Sequence, residues 1–124
     1  MRILIAEDHP DNREMLTRRL ERRGYEVHTA ENGAEAVDRA QSLNPDLILM
    51  DISMPVMSGL EATRTLRGIA ATADIKIIAL TAHAMDTARQ ECMDAGCNAF
   101  ATKPVDFAAL LNTIEAVAAG ARAA

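Results

Sequence analysis

The sequence predicts an α/β fold, a doubly wound sheet of five parallel strands covered by helices on both faces. Three observations predict it. Five short apolar segments, near residues 2–6, 25–29, 46–50, 75–80 and 98–102, alternate with five longer segments of helical character along a chain of 124 residues, which is a βα repeat. The third and fourth segments, containing Leu47-Ile48-Leu49-Met50 and Ile77-Ile78-Ala79-Leu80, are apolar runs rather than alternating ones, as strands buried on both faces require. Finally, Glu7-Asp8, Asp51, Thr81 and Lys103-Pro104 all follow strand-like segments. In doubly wound sheets ligands bind outside the carboxyl ends of the strands, where strand order reverses.

The elements follow in order. After the first strand a helix is expected from Pro10, whose fixed φ suits an early helical position, to just before Gly24, with Met15, Leu16 and Leu20 as its inner face. After the second strand, Asn32-Gly33 opens a helix that buries Ala36, Val37 and Ala40 and stops at Asn44-Pro45. The third helix is expected from Ser58 to Ala71, using Leu60, Thr63 and Leu66. The fourth, from Met85 to Ala95, has only the thin stripe Ala84, Ala88, Cys92 and Ala95. In the fifth, Phe107, Leu110, Leu111, Ile114 and Val117 recur at helical spacing. One domain is expected over residues 1–119, followed by a disordered tail at 120–124.

Composition narrows the function. Nearly half the residues are apolar but only 2% are aromatic, so the core is built from Ala, Leu, Ile, Val and Met. The formal net charge of -5 argues against direct binding of nucleic acid. No apolar stretch approaches the roughly twenty residues that span a bilayer, and Met1-Arg2 runs into the first strand without a signal-peptide region. A cytoplasmic protein without membrane contact is expected. Cys92 and Cys97 lack CxxC spacing and a nearby His, so they read as buried free thiols, with a redox role for the pair as the lesser alternative.

The polar set carries the chemistry. Three carboxylates, Glu7, Asp8 and Asp51, stand where strands stop, and clustered acids repel one another unless a cation or a proton joins them. Carboxylate oxygens are the ligands Mg²⁺ prefers, and the same oxygens accept Mn²⁺. Taken singly, such residues also begin turns or cap helices.

Ile5-Ala6-Glu7-Asp8, Leu49-Met50-Asp51-Ile52-Ser53-Met54-Pro55, Ser58-Gly59, Leu80-Thr81-Ala82 and Lys103-Pro104, in this order and spacing, resemble the receiver domains of bacterial response regulators. The resemblance covers essentially the whole chain. It implies a flavodoxin-like (βα)5 fold with strand order 2-1-3-4-5. It also implies that Asp51 accepts a phosphoryl group from a phosphohistidine on a sensor histidine kinase or a histidine phosphotransfer protein. Mg²⁺ would be held by Asp8, by Glu7 largely through water, by Asp51 and by the backbone carbonyl of Ser53. Thr81 would donate its hydroxyl to the phosphoryl group, Lys103 would neutralise it, and the peptide bond before Pro104 would be cis. Phe100 matches the switch position, where many receivers carry Tyr, and the alternative is a plain core ring on the last strand. Ser53 and His83 occupy the variable places that influence phosphoryl lifetime.

The first helix concentrates Arg13, Arg18, Arg19, Arg22 and Arg23, either a solvated face or a docking face for the phosphodonor. A downstream protein target is implied, with the chain a monomer or a weak dimer linked to phosphorylation. No turnover of an external substrate is expected. Two other readings stand beside this one. A degenerate receiver would serve as an interaction module only. An aspartyl-phosphate hydrolase of the haloacid dehalogenase kind would need a DxD motif after the first strand, where the chain has Glu7-Asp8-His9-Pro10-Asp11. GxxxxGK[ST] and GxGxxG are absent. The chain is either a free-standing regulator or a receiver from a hybrid kinase.

Overall fold

A computed structural model describes residues 1–82 and 86–120. The elements run β1 (Arg2–Ala6), α1 (Pro10–Glu21), β2 (Glu26–Ala30), α2 (Gly33–Leu43), β3 (Leu47–Asp51), α3 (Gly59–Arg67), β4 (Lys76–Thr81), α4 (Asp86–Ala95), β5 (Ala99–Thr102) and α5 (Phe107–Ala118). All the pairings are parallel, in the order β2-β1-β3-β4-β5. The chain steps from β1 outward to β2 and then returns to place β3 on the other side of β1. Strand order therefore reverses between β1 and β3.

Strand periodicity divides the core into two layers. Leu4, Ala6, Ile48, Met50, Ile77 and Ala79 face α2, α3 and α4, packing with Ala36, Ala40, Ala62, Leu66 and Cys92. Their neighbours Ile3, Ile5, Leu47, Leu49, Ile78 and Leu80 face α1 and α5, packing with Leu16, Leu20, Leu110 and Ile114. Nearly every residue of β1, β3 and β4 is buried, which is why these strands read as unbroken apolar runs.

Boundaries differ from the expected ones at several places, each for a local reason. β2 begins one residue late because the Tyr25 amide still donates to the Leu20 carbonyl of α1, at 3.3 Å. β3 and β4 likewise run one residue further, so Asp51 and Thr81 are the last residues of their strands rather than the first beyond them. α3 stops at Arg67, four residues short of Ala71. Its last carbonyls are taken by Gly68 and Ile69 amides, and the buried Thr72 hydroxyl donates to the Leu66 carbonyl at 2.7 Å. Within α3, Leu60 is only half-buried, while Ala62 joins Thr63 and Leu66 on the inner face. Ala84 and Met85, expected in the fourth helix, and residues 121–124 of the expected tail lie outside the described residues.

Candidate functional site

The strand reversal places the ends of β1 and β3 side by side, with Ala6 paired to Met50. Glu7 and Asp8 follow β1, Asp51 ends β3, and one carboxylate oxygen from each lies within 4.8 Å of the others. Glu7 and Asp51 are almost sealed from solvent, at 1% and 2% exposure. Asp8 is half-buried. Leu80 pairs with Asp51 across β3 and β4, so Thr81 is the next residue along on the neighbouring strand, and it in turn pairs with Thr102 of β5. The Lys103 amide donates to the Thr81 carbonyl at 2.7 Å, and the Lys103–Pro104 peptide bond is cis.

Hydrogen bonds and charge hold the acids unequally. Asp51 Oδ1 accepts the Ser53 amide at 3.1 Å. Lys103 Nζ lies 2.8 Å from Asp51 Oδ2, an ion pair at close range. It is also 3.4 Å from Glu7 Oε1. Burial, followed by hydrogen bonding to Asp51, pushes the Glu7 carboxyl up to about 7. Burial also works to raise Asp51, but the Glu7 hydrogen bond, Lys103 and the Ser53 amide outweigh it and hold Asp51 below the usual carboxylate range. Desolvation alone would lower Lys103, yet its contacts with Asp51 and Glu7 raise it instead. Without a cation, a proton on Glu7 relieves the crowding.

The donor set fits a divalent cation. Among the described residues Asp8 Oδ1 is buried without a hydrogen-bond partner, and a buried polar oxygen in that condition is costly. Three ionised acids against one ammonium leave two uncompensated negative charges, the charge of one Mg²⁺.

Asn12 was not singled out by sequence, and Arg13 and Gly59, noted there in the arginine row and the Ser58-Gly59 motif, take roles the sequence did not give them. Asn12 Nδ2 donates to Glu7 Oε1 at 3.0 Å, and Arg13 Nη1 to the Glu7 carbonyl at 2.9 Å. Their position in the first turn of α1, directly above the strand end, is the signal that could have found them. Gly59 matters through what it lacks, since a Cβ there would stand 2.1 Å from the Asp51 carbonyl oxygen. Its amide donates to the Ile52 carbonyl at 3.0 Å and closes the loop that follows β3.

Phe100 is half-buried against the layer of Met50 and Ala79, and the Arg89 guanidinium of α4 lies 4.7 Å from its ring centroid. Arg13 is tucked in and pairs with Glu31, Arg18 pairs with Glu14, and Arg19 covers the Phe107 ring. The arginine row thus includes internal braces as well as the exposed Arg22 and Arg23. His83 lies outside the described residues. Cys92 and Cys97 are both free and buried. No helix among the described residues is long and apolar enough to cross a membrane.

Comparison with known proteins agrees with this architecture. The Response regulator receiver domain family matches residues 3–115. Protein PilH of Pseudomonas aeruginosa is 43% identical over 119 residues, covering 96% of this chain and 98% of that protein. The receiver domain of the sensor histidine kinase PA1611 from Pseudomonas aeruginosa, solved with magnesium coordinated in its active site cleft, superposes with a TM-score of 0.88 at 36% identity, covering 95% of this chain and 97% of that one. The receiver domain of Saccharomyces cerevisiae Ssk1, solved in complex with the histidine phosphotransfer protein Ypd1, gives a TM-score of 0.85 at 32% identity, covering 92% of this chain and 86% of that one. Identity above 30% along nearly the full length, with close superposition, reflects shared descent. The chain belongs to the response regulator receiver domains, the phosphoryl-accepting switches of two-component signalling.

Proposed function

We propose that this receiver accepts a phosphoryl group on Asp51 from the phosphohistidine of a sensor histidine kinase or a histidine phosphotransfer protein. The observation that carries the reading is the setting of Asp51, a carboxylate held ionised at the end of β3 with an ammonium 2.8 Å from one oxygen and acids on its other side. An Asp51 oxygen attacks phosphorus in line. The O–P bond forms as the P–N bond to the donor imidazole breaks, and the electron pair leaves with the nitrogen. Lys103 neutralises charge that spreads over the phosphoryl oxygens, and Thr81 donates its hydroxyl to one of them.

The groups that would hold Mg²⁺ are Asp8, Asp51, the Ser53 carbonyl and, largely through water, Glu7; Mn²⁺ suits the same donors. Bound there, the cation supplies positive charge that relieves repulsion among the acids and between them and the phosphoryl group. The magnesium in the PA1611 receiver supports this assignment.

Output follows from the added charge. Phosphorylation places nearly two negative charges at Asp51, and Thr81 moving toward them vacates space that the Phe100 ring enters. That movement takes the ring from beneath Arg89 and alters the surface shared by α4 and β5 for a downstream protein. Phe100 has no hydroxyl, so the change is read as shape and charge. The donor docks beside α1, where Arg18 and Arg22 act mainly on association rate. The Ypd1–Ssk1 complex supports a phosphotransfer protein as one class of donor.

Intact mass after incubation with acetyl phosphate tests the proposal. A single phosphoryl adduct is expected with Mg²⁺, and none without Mg²⁺ or in Asp51→Ala. An adduct of equal yield in Asp51→Ala would overturn it.

A further inference from the structure

α4 ends at Gly96, whose φ of +111° turns the chain out of the helix. The Cys97 amide donates to the Cys92 carbonyl at 3.1 Å and the Gly96 amide to the Met93 carbonyl at 3.0 Å, the bond pair of a Schellman termination. That motif sets a residue of the last helical turn against the second residue beyond the helix, and here both are cysteines. With 3.1 Å between that amide and that carbonyl, standard backbone dimensions keep the two Cα atoms within about 7 Å, the reach of a disulfide.

Both thiols are buried, Cys92 at 2% and Cys97 at 0% exposure, and Cys97 Sγ lies 3.9 Å from Thr63 Oγ1 of α3. Contact between them separates their acidities. Hydrogen bonding from Cys97 holds the Cys92 thiol below its ordinary range, while that same contact and burial push Cys97 well up. Cys92 lies on α4 itself, so it is the thiol that opening of the helix presents first to an oxidant. α4 covers them through a narrow attachment, since Cys92 and Ala95 are its buried residues among those described. Opening so thinly held a helix is a local event well below global unfolding, and it exposes both thiols together.

We propose that Cys92 and Cys97 form a redox modification site, a dithiol that a hydroperoxide converts reversibly into an intramolecular disulfide joining α4 to the start of β5. The Cys92 thiolate attacks a peroxide oxygen and the O–O bond breaks. Hydroxide leaves and takes up the thiol proton as water, giving a sulfenic acid. Cys97 sulfur then attacks the sulfenic sulfur, the S–S bond forms, the S–O bond breaks, and the hydroxyl departs as water with the Cys97 proton. The two thiols lose two electrons and two protons, and hydrogen peroxide becomes two waters. Arg89 lies one turn before Cys92 and Phe100 three residues after Cys97, so the bond fixes the helix that covers the switch ring. Its consequence for signalling rests on the proposed role of Phe100, whereas the chemistry does not.

The test uses the reduced full chain treated with hydrogen peroxide under native conditions, followed by intact mass, peptide mapping and amide exchange. The expected result is loss of two hydrogen masses, one Cys92–Cys97 crosslinked peptide, slower exchange in residues 86–95, and reversal of all three by dithiothreitol. Thiols that stay reduced until the chain is unfolded would overturn it, as would sulfinic acid at single cysteines or a crosslink between two chains. The readout does not involve Asp51, so a failure of phosphoryl labelling leaves it standing, and a missing disulfide leaves the labelling reading standing.

Discussion

Lys103 Nζ stands 2.8 Å from Asp51 Oδ2 and 3.4 Å from Glu7 Oε1, so one ammonium serves two buried acids. β5 brings the lysine to the site across β4, and no other cationic side chain forms an ion pair with either carboxylate group among the described residues.

Removing that ammonium separates binding from chemistry. Lys103→Ala is expected to slow labelling by acetyl phosphate by about 10²-fold, the loss typical of one positioned charge donor. Mg²⁺ affinity is expected to hold or rise, because a competing cation has gone. Labelling rates and a Mg²⁺ titration check the two halves independently.

Glu7 makes the metal-free protein sensitive to alkali. Its folded value of about 7 lies above the ordinary 4.5, so its contribution to stability is full below about pH 4.5 and is lost as pH rises through about 7. Asp51 has the opposite sign, with a contribution present above its ordinary range and lost only in stronger acid. Between pH 5 and 8, therefore, Tm of the metal-free protein should fall and Glu7→Gln should flatten the slope. Mg²⁺ should raise Tm more at pH 8 than at pH 6, since it binds the ionised acid. Parallel profiles for parent and variant would contradict this.

Val56 is a β-branched residue at φ +67°, and it is 84% exposed in the loop after β3. A branched side chain in the left-handed region is strained, and exposure leaves little packing to offset the strain. The Met57 amide donates to the Pro55 carbonyl across it at 2.7 Å, a γ-turn, and Val56→Gly, which takes positive φ without a Cβ clash, is expected to stabilise the protein by about 1 kcal/mol. Urea unfolding should show a higher midpoint at unchanged slope.

Arg67 ties the opposite end of the sheet together. Its guanidinium donates to the carbonyls of Gly96, Ala73 and Ile75 and to Asn98 Oδ1 at 2.6–3.0 Å. Arg67→Ala should lower stability by about 3 kcal/mol through acceptors left unpaired. Labelling at Asp51 should persist wherever the variant stays folded, because the clasp lies at the amino ends of β4 and β5.

Much of this arrangement was legible because apolar runs end abruptly in polar residues. The runs of β1 and β3 located their own ends within a residue, and Glu7-Asp8 and Asp51 marked what stands there. The end of α3 was not legible. Helical spacing continues past Arg67, and what stops it is the Thr72 hydroxyl together with a clasp reaching Asn98, 31 residues away. The upward shift of the Glu7 carboxyl depends on burial that no local pattern encodes. Nor does Met54-Pro55-Val56-Met57 reveal which residue takes the left-handed turn. The contact between the cysteines was half-legible, since Gly96 before Cys97 is a helix-ending signal, but its partner one helical turn back emerges only from the hydrogen bonds.

Borohydride trapping after treatment with acetyl phosphate and Mg²⁺ locates the phosphoryl group, because it reduces an aspartyl phosphate to homoserine and peptide mass then identifies the residue. Homoserine is expected at position 51 and nowhere else, and it should be lost when Mg²⁺ is withheld. Reduction products at Glu7 or Asp8, or an unmodified Asp51 in protein that carries the phosphoryl mass, would contradict Asp51 as the acceptor.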